Sequence, residues 1–476
     1  MLFNSFEFLL FLPITVIIYY TIPHRFRWSI LLLASYIFYM AWKPEYIILI
    51  ILSTLVDYFA GIKMEKCITL KKKKKYLLLS LLVNLGLLFV FKYFNFFTES
   101  ISFIYPINNL KLLLPIGISF YTFQTLSYTI DVYRGKRKAE RHLGYFALYV
   151  TYFPQLVAGP IERSDRLLPQ LRKKQKFNYE ETMQSLLRIA WGFFKKIVIA
   201  DRVAVVVNTV YGDVTSYTGL QLIIATFFFA IQIYCDFSAY SDIAIGTANI
   251  MGHKLMENFK MPYFSKSISE FWSRWHISLT TWFKDYLYIP LGGNRVSKKW
   301  LYYRNLLIVF LVSGLWHGAN WTFIAWGALH GFYMIIERLI QQLKTKFCNN
   351  SMFFSIPIEL KQAFTFILVL IGWIFFRANN IGEAFLIIST ITNTSIYNII
   401  DGSLFQMGLD KPEFILSIIL IIYLFLLEGF KFYTKKNIII TNDFRQGVCA
   451  ILILMLIIIF GYYGKYNPTE FIYFQF

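Results

Sequence analysis

Apolar segments recur along the whole chain, and they constrain its fold more than any other feature. They lie near residues 7–23, 29–42, 46–62, 76–97, 113–131, 144–158, 185–206, 219–247, 306–336, 361–377, 384–396, 413–430 and 446–463. Hydrophobic residues make up 57% of the sequence, and the mean hydropathy is +0.52. Lipid offers the backbone no hydrogen-bond partners, so such segments span a bilayer as helices. The sequence predicts an all-α polytopic membrane protein with about 11 transmembrane helices.

Charge and cysteine content exclude several classes of function. Lys and Arg outnumber Asp and Glu by 47 to 27, but the basic residues cluster in short loops, where they orient a membrane protein and meet anionic headgroups. No folded part is left to bind nucleic acid. The 4 cysteines are far apart, so neither a disulfide framework nor a metal site is indicated. Without a repeat or a linker rich in Pro, Gly or Ser, residues 1–476 are predicted to form a single domain.

The basic loops predict the orientation of the chain. Five lysines at 71–75 separate two apolar segments and favour a cytoplasmic location, which places the N-terminus outside. The first 23 residues lack a basic n-region and are interpreted as a first helix, and not as a signal peptide. A further basic loop at 431–436 implies that the last apolar segment ends outside. The aromatic tail 464–476 is therefore predicted to be exoplasmic and to lie in the interface.

Two regions are predicted to enter the membrane without crossing it. Residues 144–158 lie between basic blocks at 134–141 and 163–176, so both blocks can be cytoplasmic only if this segment is re-entrant or interfacial. Residues 248–305 are rich in Trp, Arg and Lys and are typical of amphipathic helices at the cytoplasmic face.

His317 is the first candidate for chemistry. It lies within the apolar run 306–336, and ionisable residues at membrane depth tend to mark substrate paths. Gly314 and Gly318 form a small-residue face that allows another helix or a substrate to approach closely, while Trp316 and Asn320 supply an aromatic wall and polar groups. A neutral imidazole is suited to accept a proton from a hydroxyl. The alternative is a structural histidine that bonds across helices. His330 lies 13 residues further on, about 140° from His317 on one continuous helix, and is predicted to be structural or orienting.

A second group of candidates lies at 270–295. Glu270 and Arg274 are spaced to pair on one helix face, and His276 could act as a base, an orienting group or an interfacial anchor. Arg274, Lys284 and Arg295 would suit the phosphates of an acyl-carrying cofactor. Such interleaving of aromatic and basic residues is also typical of any helix at a membrane surface.

Asp236 and Asp242 suggest a function of another class. Two carboxylates at the end of an apolar segment could form the proton path of a coupled transporter together with His317. Six residues apart they are about 120° out of alignment on a helix, which favours caps and helix–helix hydrogen bonds instead. Motifs for serine hydrolases, zincins, ATPases and Rossmann enzymes are absent from the sequence.

Two motifs in order resemble one known family. The stretch RWHISL at 274–279 followed by WHGANW at 316–321 closely resembles the membrane-bound O-acyltransferase family, in particular its bacterial branch around alginate O-acetyltransferase. Stretches at 114–123, 155–161, 234–246 and 285–295 extend the resemblance over residues 110–335.

The resemblance implies a fold and an activity. It implies a ring of helices around a central funnel that leads from the cytoplasm to the family's shared histidine, here His317, with His276 at the second motif position. Arg274, Asn294, Arg295, Trp316 and Asn320 would contact the substrate. The donor would be a cytoplasmic thioester such as acetyl-CoA or an acyl carrier protein, with no bound cofactor.

The resemblance also implies a location and a partner. The protein would lie in the bacterial inner membrane and act with an extracytoplasmic SGNH-type relay protein to O-acetylate an exported or cell-surface polysaccharide. D-alanyl transfer to teichoic acid and peptidoglycan O-acetylation are the alternatives. The tail resembles an acyl-accepting tyrosine motif, which makes Tyr473 a candidate nucleophile, with an interfacial anchor as its other interpretation.

Overall fold

The computed structural model describes residues 1–102, 104, 107–347, 356–393, 402–435, 443–463 and 471–472. These residues form helices and their connections, with no strand among them, which confirms the predicted fold class. The chain divides into two compact units, each built from separate stretches of sequence. Unit 1 comprises Met1–Phe193, Ala239–Glu257 and residues 471–472, and unit 2 comprises Phe194–Ser238 and the described part of Asn258–Tyr463.

The helices are named in chain order. The first nine are α1 (Phe6–Thr21), α2 (His24–Met40), α3 (Ile47–Lys66), α4 (Leu70–Leu88), α5 (Phe94–Ile101), α6 (Ile118–Tyr133), α7 (Leu143–Thr151), α8 (Ser164–Arg172) and α9 (Tyr179–Phe193). The others are α10 (Asp201–Gly212), α11 (Gly219–Ile250), α12 (Ile268–Arg274), α13 (Ile277–Phe283), α14 (Lys299–His317), α15 (Trp321–Phe347), α16 (Ile358–Arg377), α17 (Ile381–Thr392), α18 (Lys411–Thr434) and α19 (Asp443–Phe460).

Six helical segments in the described part are long and apolar enough to cross a membrane. They are Pro44–Lys66, Leu70–Ile101, Gly219–Ile250, Trp321–Leu343, Ile358–Arg377 and Lys411–Thr434. Shorter apolar helices occur at Phe6–Thr21, Ile381–Thr392 and Arg445–Phe460. The chain is therefore a multi-pass membrane protein, and the count of about 11 crossings stays a prediction.

Short helices occupy the two regions predicted not to cross. α7 has 9 residues, and at about 1.5 Å per residue it covers less than half of a hydrocarbon core of roughly 30 Å. The turns that follow it are buried in unit 1, as irregular backbone at membrane depth requires. α12 and α13 have 7 residues each.

Two helix boundaries differ from the sequence prediction. The five lysines at 71–75 do not form a loop but lie in the first turns of α4, because lysine has a good helix propensity. The apolar run 306–336 is not one helix. α14 ends at His317 and α15 begins at Trp321.

The helix ends on either side of this break are stabilised locally. Asn320 caps α15 through its Oδ1, which accepts a hydrogen bond from the Thr322 amide at 3.0 Å. Gly318 is needed because a Cβ there would lie 2.0 Å from the Phe323 ring. The break places His317 at a helix end.

Unit 1 has a polar core between α3, α4 and α6. Asp57 accepts hydrogen bonds from the Ser80 hydroxyl at 2.5 Å and from the Asn84 amide at 3.0 Å. All three side chains are buried. Polar groups at membrane depth are satisfied within the bundle in this way.

Candidate functional site

Two buried histidines contact the same indole ring in unit 2. The centroid of the Trp316 ring lies 4.9 Å from that of His317 and 5.9 Å from that of His276. His317 is 4% exposed and His276 is fully buried. The two histidines that sequence analysis selected, 41 residues apart by their numbers, are thereby brought into one site.

Close packing of two helices positions His317. A Cβ at Gly314 would lie 2.1 Å from the Phe323 carbonyl oxygen, and one at Gly327 would lie 2.3 Å from the Phe310 carbonyl oxygen. Only glycine allows α14 and α15 to approach this closely. The small-residue face predicted at Gly314 is therefore occupied by another helix, α15.

Aromatic rings surround His317. Besides Trp316, its ring meets Trp326 at 5.1 Å and Phe376 at 5.3 Å, both with interplanar angles near perpendicular. His317 is also the last residue of α14. The surrounding rings shield its imidazole from bulk water.

His330 lies on the far side of Trp326. Its ring centroid is 5.0 Å from that of Trp326, and its Nδ1 accepts a hydrogen bond from the Trp272 indole at 3.3 Å. His317 and His330 lie on different helices, α14 and α15, so their angular separation on one continuous helix does not apply. This geometry fits the structural or orienting role predicted for His330.

His276 lies in the turn between α12 and α13, where its φ of 43° is left-handed. This conformation is uncommon for a bulky residue and costs on the order of 1 kcal/mol. Asn258 holds the turn, since its carbonyl oxygen accepts the Ile277 amide and its Oδ1 lies 3.3 Å from His276 Nδ1. Burial lowers the pKa of His276 to about 3, so its imidazole is neutral at physiological pH.

The structure pairs Arg274 as the i, i+4 spacing predicts. Its guanidinium donates to Glu270 Oε1 at 2.8 and 3.0 Å, and also to the Lys260 carbonyl at 3.1 Å. It stacks over the Phe432 ring at 5.0 Å. These contacts give Arg274 a packing role whether or not it meets a phosphate.

Asn294 and Arg295 lie in an exposed turn after α13. The buried Asn305 stabilises this turn, because its Nδ2 donates to the carbonyls of Leu291 and Gly293 at 3.1 and 3.2 Å. Both side chains are accessible to a ligand from outside the helices.

Asn320 hydrogen-bonds to backbone groups through both polar atoms of its side chain. Its Nδ2 donates to the Asn379 carbonyl at 3.0 Å, and its Oδ1 caps α15. It ties the break after His317 to the loop before α17, so the structure gives it a supporting role.

Asp236 and Asp242 are each held by a cation. Asp236 pairs with Lys196 at 2.6 Å in unit 2, and Lys196 also pairs with Asp201 at 2.9 Å. Asp242 pairs with Arg188 at 2.8 Å in unit 1. These ion pairs link neighbouring helices, which is the structural interpretation of the two carboxylates, and they give no support to the transporter alternative.

Tyr473 lies outside the described residues. The two residues before it are buried in unit 1, with Phe471 and Ile472 1% and 3% exposed. The Phe471 ring packs perpendicular to that of Tyr240 at 5.0 Å. This part of the tail is packed against protein, while its exoplasmic, interfacial location stays a prediction.

Several residues of the site were missed by sequence analysis. Trp326 and Phe376 lie outside the two motifs, in apolar segments where nothing distinguishes them from other core residues. Asn258 precedes His276 by 18 residues, and a lone asparagine gives no pattern that could have found it. Phe237, whose ring is 4.7 Å from that of His276, lies within the stretch 234–246 that was noted for its carboxylates.

The fold and the site define a class: a multi-pass, all-helical membrane protein with a buried pair of histidines. Residues 141–379 match the membrane-bound O-acyltransferase family, and this range contains both histidines. The chain belongs to that family, and it is an acyltransferase.

Bacterial relatives extend the similarity beyond the family domain. The probable alginate O-acetylase AlgI of Pseudomonas putida is 45% identical over 81% of this chain and 79% of its own length. The peptidoglycan O-acetyltransferase of Helicobacter pylori is 33% identical over 94% of this chain and 91% of its own. The teichoic acid D-alanyltransferase of Bacillus subtilis is 28% identical over 49% of this chain and 61% of its own.

Proposed function

We propose that this chain transfers an acetyl group from a cytoplasmic thioester, such as acetyl-CoA or an acyl carrier protein, for O-acetylation of an exported polysaccharide. The observation that carries the proposal is the pair of buried histidines at Trp316 in a family domain whose 45% identical relative is a probable alginate O-acetylase. The peptidoglycan relative, similar over 94% of the chain, supports the same acceptor chemistry, a sugar hydroxyl. D-alanyl transfer has weaker support, because that relative covers only 49% of the chain.

His317 acts as general base in this mechanism. Its imidazole takes the proton of a hydroxyl as the oxygen attacks the thioester carbonyl. The new C–O bond forms, the C–S bond breaks, and the proton passes from the imidazolium to the departing thiolate. The reaction leaves His317 neutral for the next cycle, while the rings of Trp316, Trp326 and Phe376 keep bulk water away from the thioester.

Tyr473 is the first hydroxyl to react in the proposed sequence. Its phenol would attack the thioester and form a tyrosyl ester, from which an extracytoplasmic SGNH-type partner would transfer the acetyl group to the sugar. The two residues before it, Phe471 and Ile472, are buried in unit 1, which supports a tail anchored on the protein.

The donor is proposed to meet the exposed turn that carries Asn294 and Arg295. A guanidinium binds phosphate oxygens in two parallel hydrogen bonds, and Arg295 is accessible to such a group. The chain would lie in the bacterial inner membrane with this turn in the cytoplasm and both termini outside, as the positions of the basic loops favour.

The test is release of free coenzyme A by the purified full chain in detergent supplied with acetyl-CoA. The His317→Ala variant is expected to lose this activity by about 10²-fold to 10⁴-fold. His142→Asn is the matched control, because His142 is an exposed histidine that caps α7 and asparagine is also a good cap. Equal coenzyme A release by the parent and His317→Ala would overturn the proposal.

A further inference from the structure

Asn258 presents one amide oxygen to three groups of the turn that carries His276. Its Oδ1 lies 2.7 Å from the Ser278 hydroxyl, 3.2 Å from the Ser278 amide nitrogen and 3.3 Å from His276 Nδ1. All three residues are buried. The chemistry of these contacts determines which nitrogen of His276 carries a proton.

The backbone amide of Ser278 fixes the orientation of the Asn258 side chain. A backbone N–H can only donate, so the amide atom facing it must be the oxygen and not the nitrogen. That oxygen has no hydrogen to give, so His276 Nδ1 must be the donor in their contact. The neutral imidazole therefore has its proton on Nδ1, and its Nε2 carries the lone pair.

We propose that Asn258 is a positioning residue that holds His276 in the Nδ1–H tautomer, so that His276 serves acyl transfer as a hydrogen-bond acceptor through Nε2. The inference rests on the proposed function for its catalytic part and on geometry alone for the tautomer. In this tautomer the neutral ring cannot donate to an oxyanion from Nε2. It accepts instead, from the attacking hydroxyl or from an N–H of the donor.

The backbone supports the same role for Asn258. Its carbonyl oxygen accepts the Ile277 amide at 3.0 Å, and the His276 carbonyl accepts the Thr280 amide at 3.0 Å. These bonds stabilise the left-handed conformation of His276, and strained backbone persists only where its surroundings fix it in this way. The Phe237 ring, perpendicular to the imidazole at 4.7 Å, closes one side of it.

The direct test is ¹⁵N NMR of the full chain in proteoliposomes with labelled histidine. The chain has 6 histidines, and the difference between the parent and a His276→Gln variant identifies the signals of His276. A protonated Nδ1 and an unprotonated Nε2 are expected at neutral pH. The opposite assignment would overturn the inference and leave the proposed function intact.

Variants of Asn258 test its catalytic consequence. Asn258→Leu keeps the size but removes the acceptor, and it is expected to lower kcat by about 10-fold to 100-fold with little change in KM, since a misplaced group costs this much. Asn258→Asp keeps an acceptor, so it should retain the Nδ1–H signal of His276 that Asn258→Leu is expected to lose. Ser278→Ala is the matched control. It removes the hydroxyl that donates to the same oxygen and keeps the Asn258 side chain that contacts His276 Nδ1, so the tautomer should be unchanged.

Two outcomes separate this inference from the proposed function. A parent-like kcat in a folded Asn258→Leu chain would overturn the positioning role, even if His317→Ala is inactive. If Asn258→Leu does not fold, the tautomer of the parent and the kcat of Asn258→Asp decide the question.

Discussion

The two histidines at Trp316 have different surroundings, and these suggest different tasks. His317 ends a helix among aromatic rings. His276 is fully buried in a strained turn and stays neutral. We therefore propose proton transfer for His317 and hydrogen-bond acceptance for His276.

Buried histidines make stability depend on pH. Burial lowers the pKa of His253 and His276 to about 3, so below about 6.5 the unfolded chain binds two protons that the folded chain excludes. Burial raises the pKa of Glu162 to about 7, which acts in the opposite direction between about 4.5 and 7.

We expect the midpoint of thermal unfolding to fall as the pH is lowered from 6.5 to 5, because the two buried histidines oppose folding in this range and outnumber the one carboxyl that favours it. Glu162→Gln should steepen the decline, because it removes the opposing group. Circular dichroism in detergent measures both, and a midpoint that rises on acidification would contradict this account.

Removing one oxygen atom from Tyr473 distinguishes its two interpretations, acyl relay and interfacial anchor. Tyr473→Phe keeps the aromatic ring, so an interfacial anchor would be unaffected, whereas the relay requires the phenol. We expect this variant to stop acetylation of the external acceptor and to fold normally. Mass spectrometry of the parent with donor alone should find a hydroxylamine-labile acetyl group on the C-terminal peptide, and its absence would remove the tyrosyl-ester step.

The sequence marked ionisable residues that lie within motifs, and it did not mark the residues that only shape the site. His317 and His276 stood out because ionisable groups are costly at membrane depth and the motifs around them are long. Asn258 and Asn305 had no such signal, since their importance lies in which backbone groups they reach after folding. Arg274 and Asn320 were assigned to substrate from their chemistry, while the structure shows both in contacts within the protein.

At the scale of elements, the crossing of α14 and α15 positions His317. The apolar run 306–336 predicted one membrane segment, but hydropathy carries no information about the break at Gly318 that divides it between two helices. The lysines at 71–75 show a related limit, because a charge block predicts which side of the membrane a segment faces and not whether it is helical.

Gly314→Ala is expected to abolish activity through the helix crossing. The added Cβ would lie 2.1 Å from a backbone oxygen of α15, so the helices must separate one turn before His317. Reduced thermal stability and loss of coenzyme A release should appear together. Gly86→Ala in α4 is the matched control, since no atom lies within 4 Å of its added Cβ, and alanine is the better helix former. A Gly314→Ala chain with parent stability and activity would show that the close crossing is dispensable.

At the scale of the whole molecule, the orientation predicted from the basic loops can be read with a native residue. Cys67 lies between α3 and α4, close to the lysines at 71–75. In a chain whose other cysteines are serine, Cys67 should be shielded from a membrane-impermeant thiol reagent in intact cells. A cysteine in place of Asn467, with Cys67 also replaced, should be labelled. The reverse pattern would remove the basis for an outward-facing tail.

The proposed reaction moves an acyl group from a donor on one side of the membrane to an acceptor on the other. The donor is proposed to reach the turn of Asn294 and Arg295 from one side, and the tail with Tyr473 to lie on the other. His317, buried within unit 2, is the group proposed to carry out the chemistry.

The most direct test is transfer of labelled acetyl from acetyl-CoA to the chain and its acceptor in proteoliposomes that hold the parent, His317→Ala or His142→Asn. Transfer is expected with the parent and with His142→Asn, and it should fall by about 10²-fold or more in a folded His317→Ala chain. Transfer by His317→Ala within a few-fold of the parent would contradict the assignment of His317 as the general base.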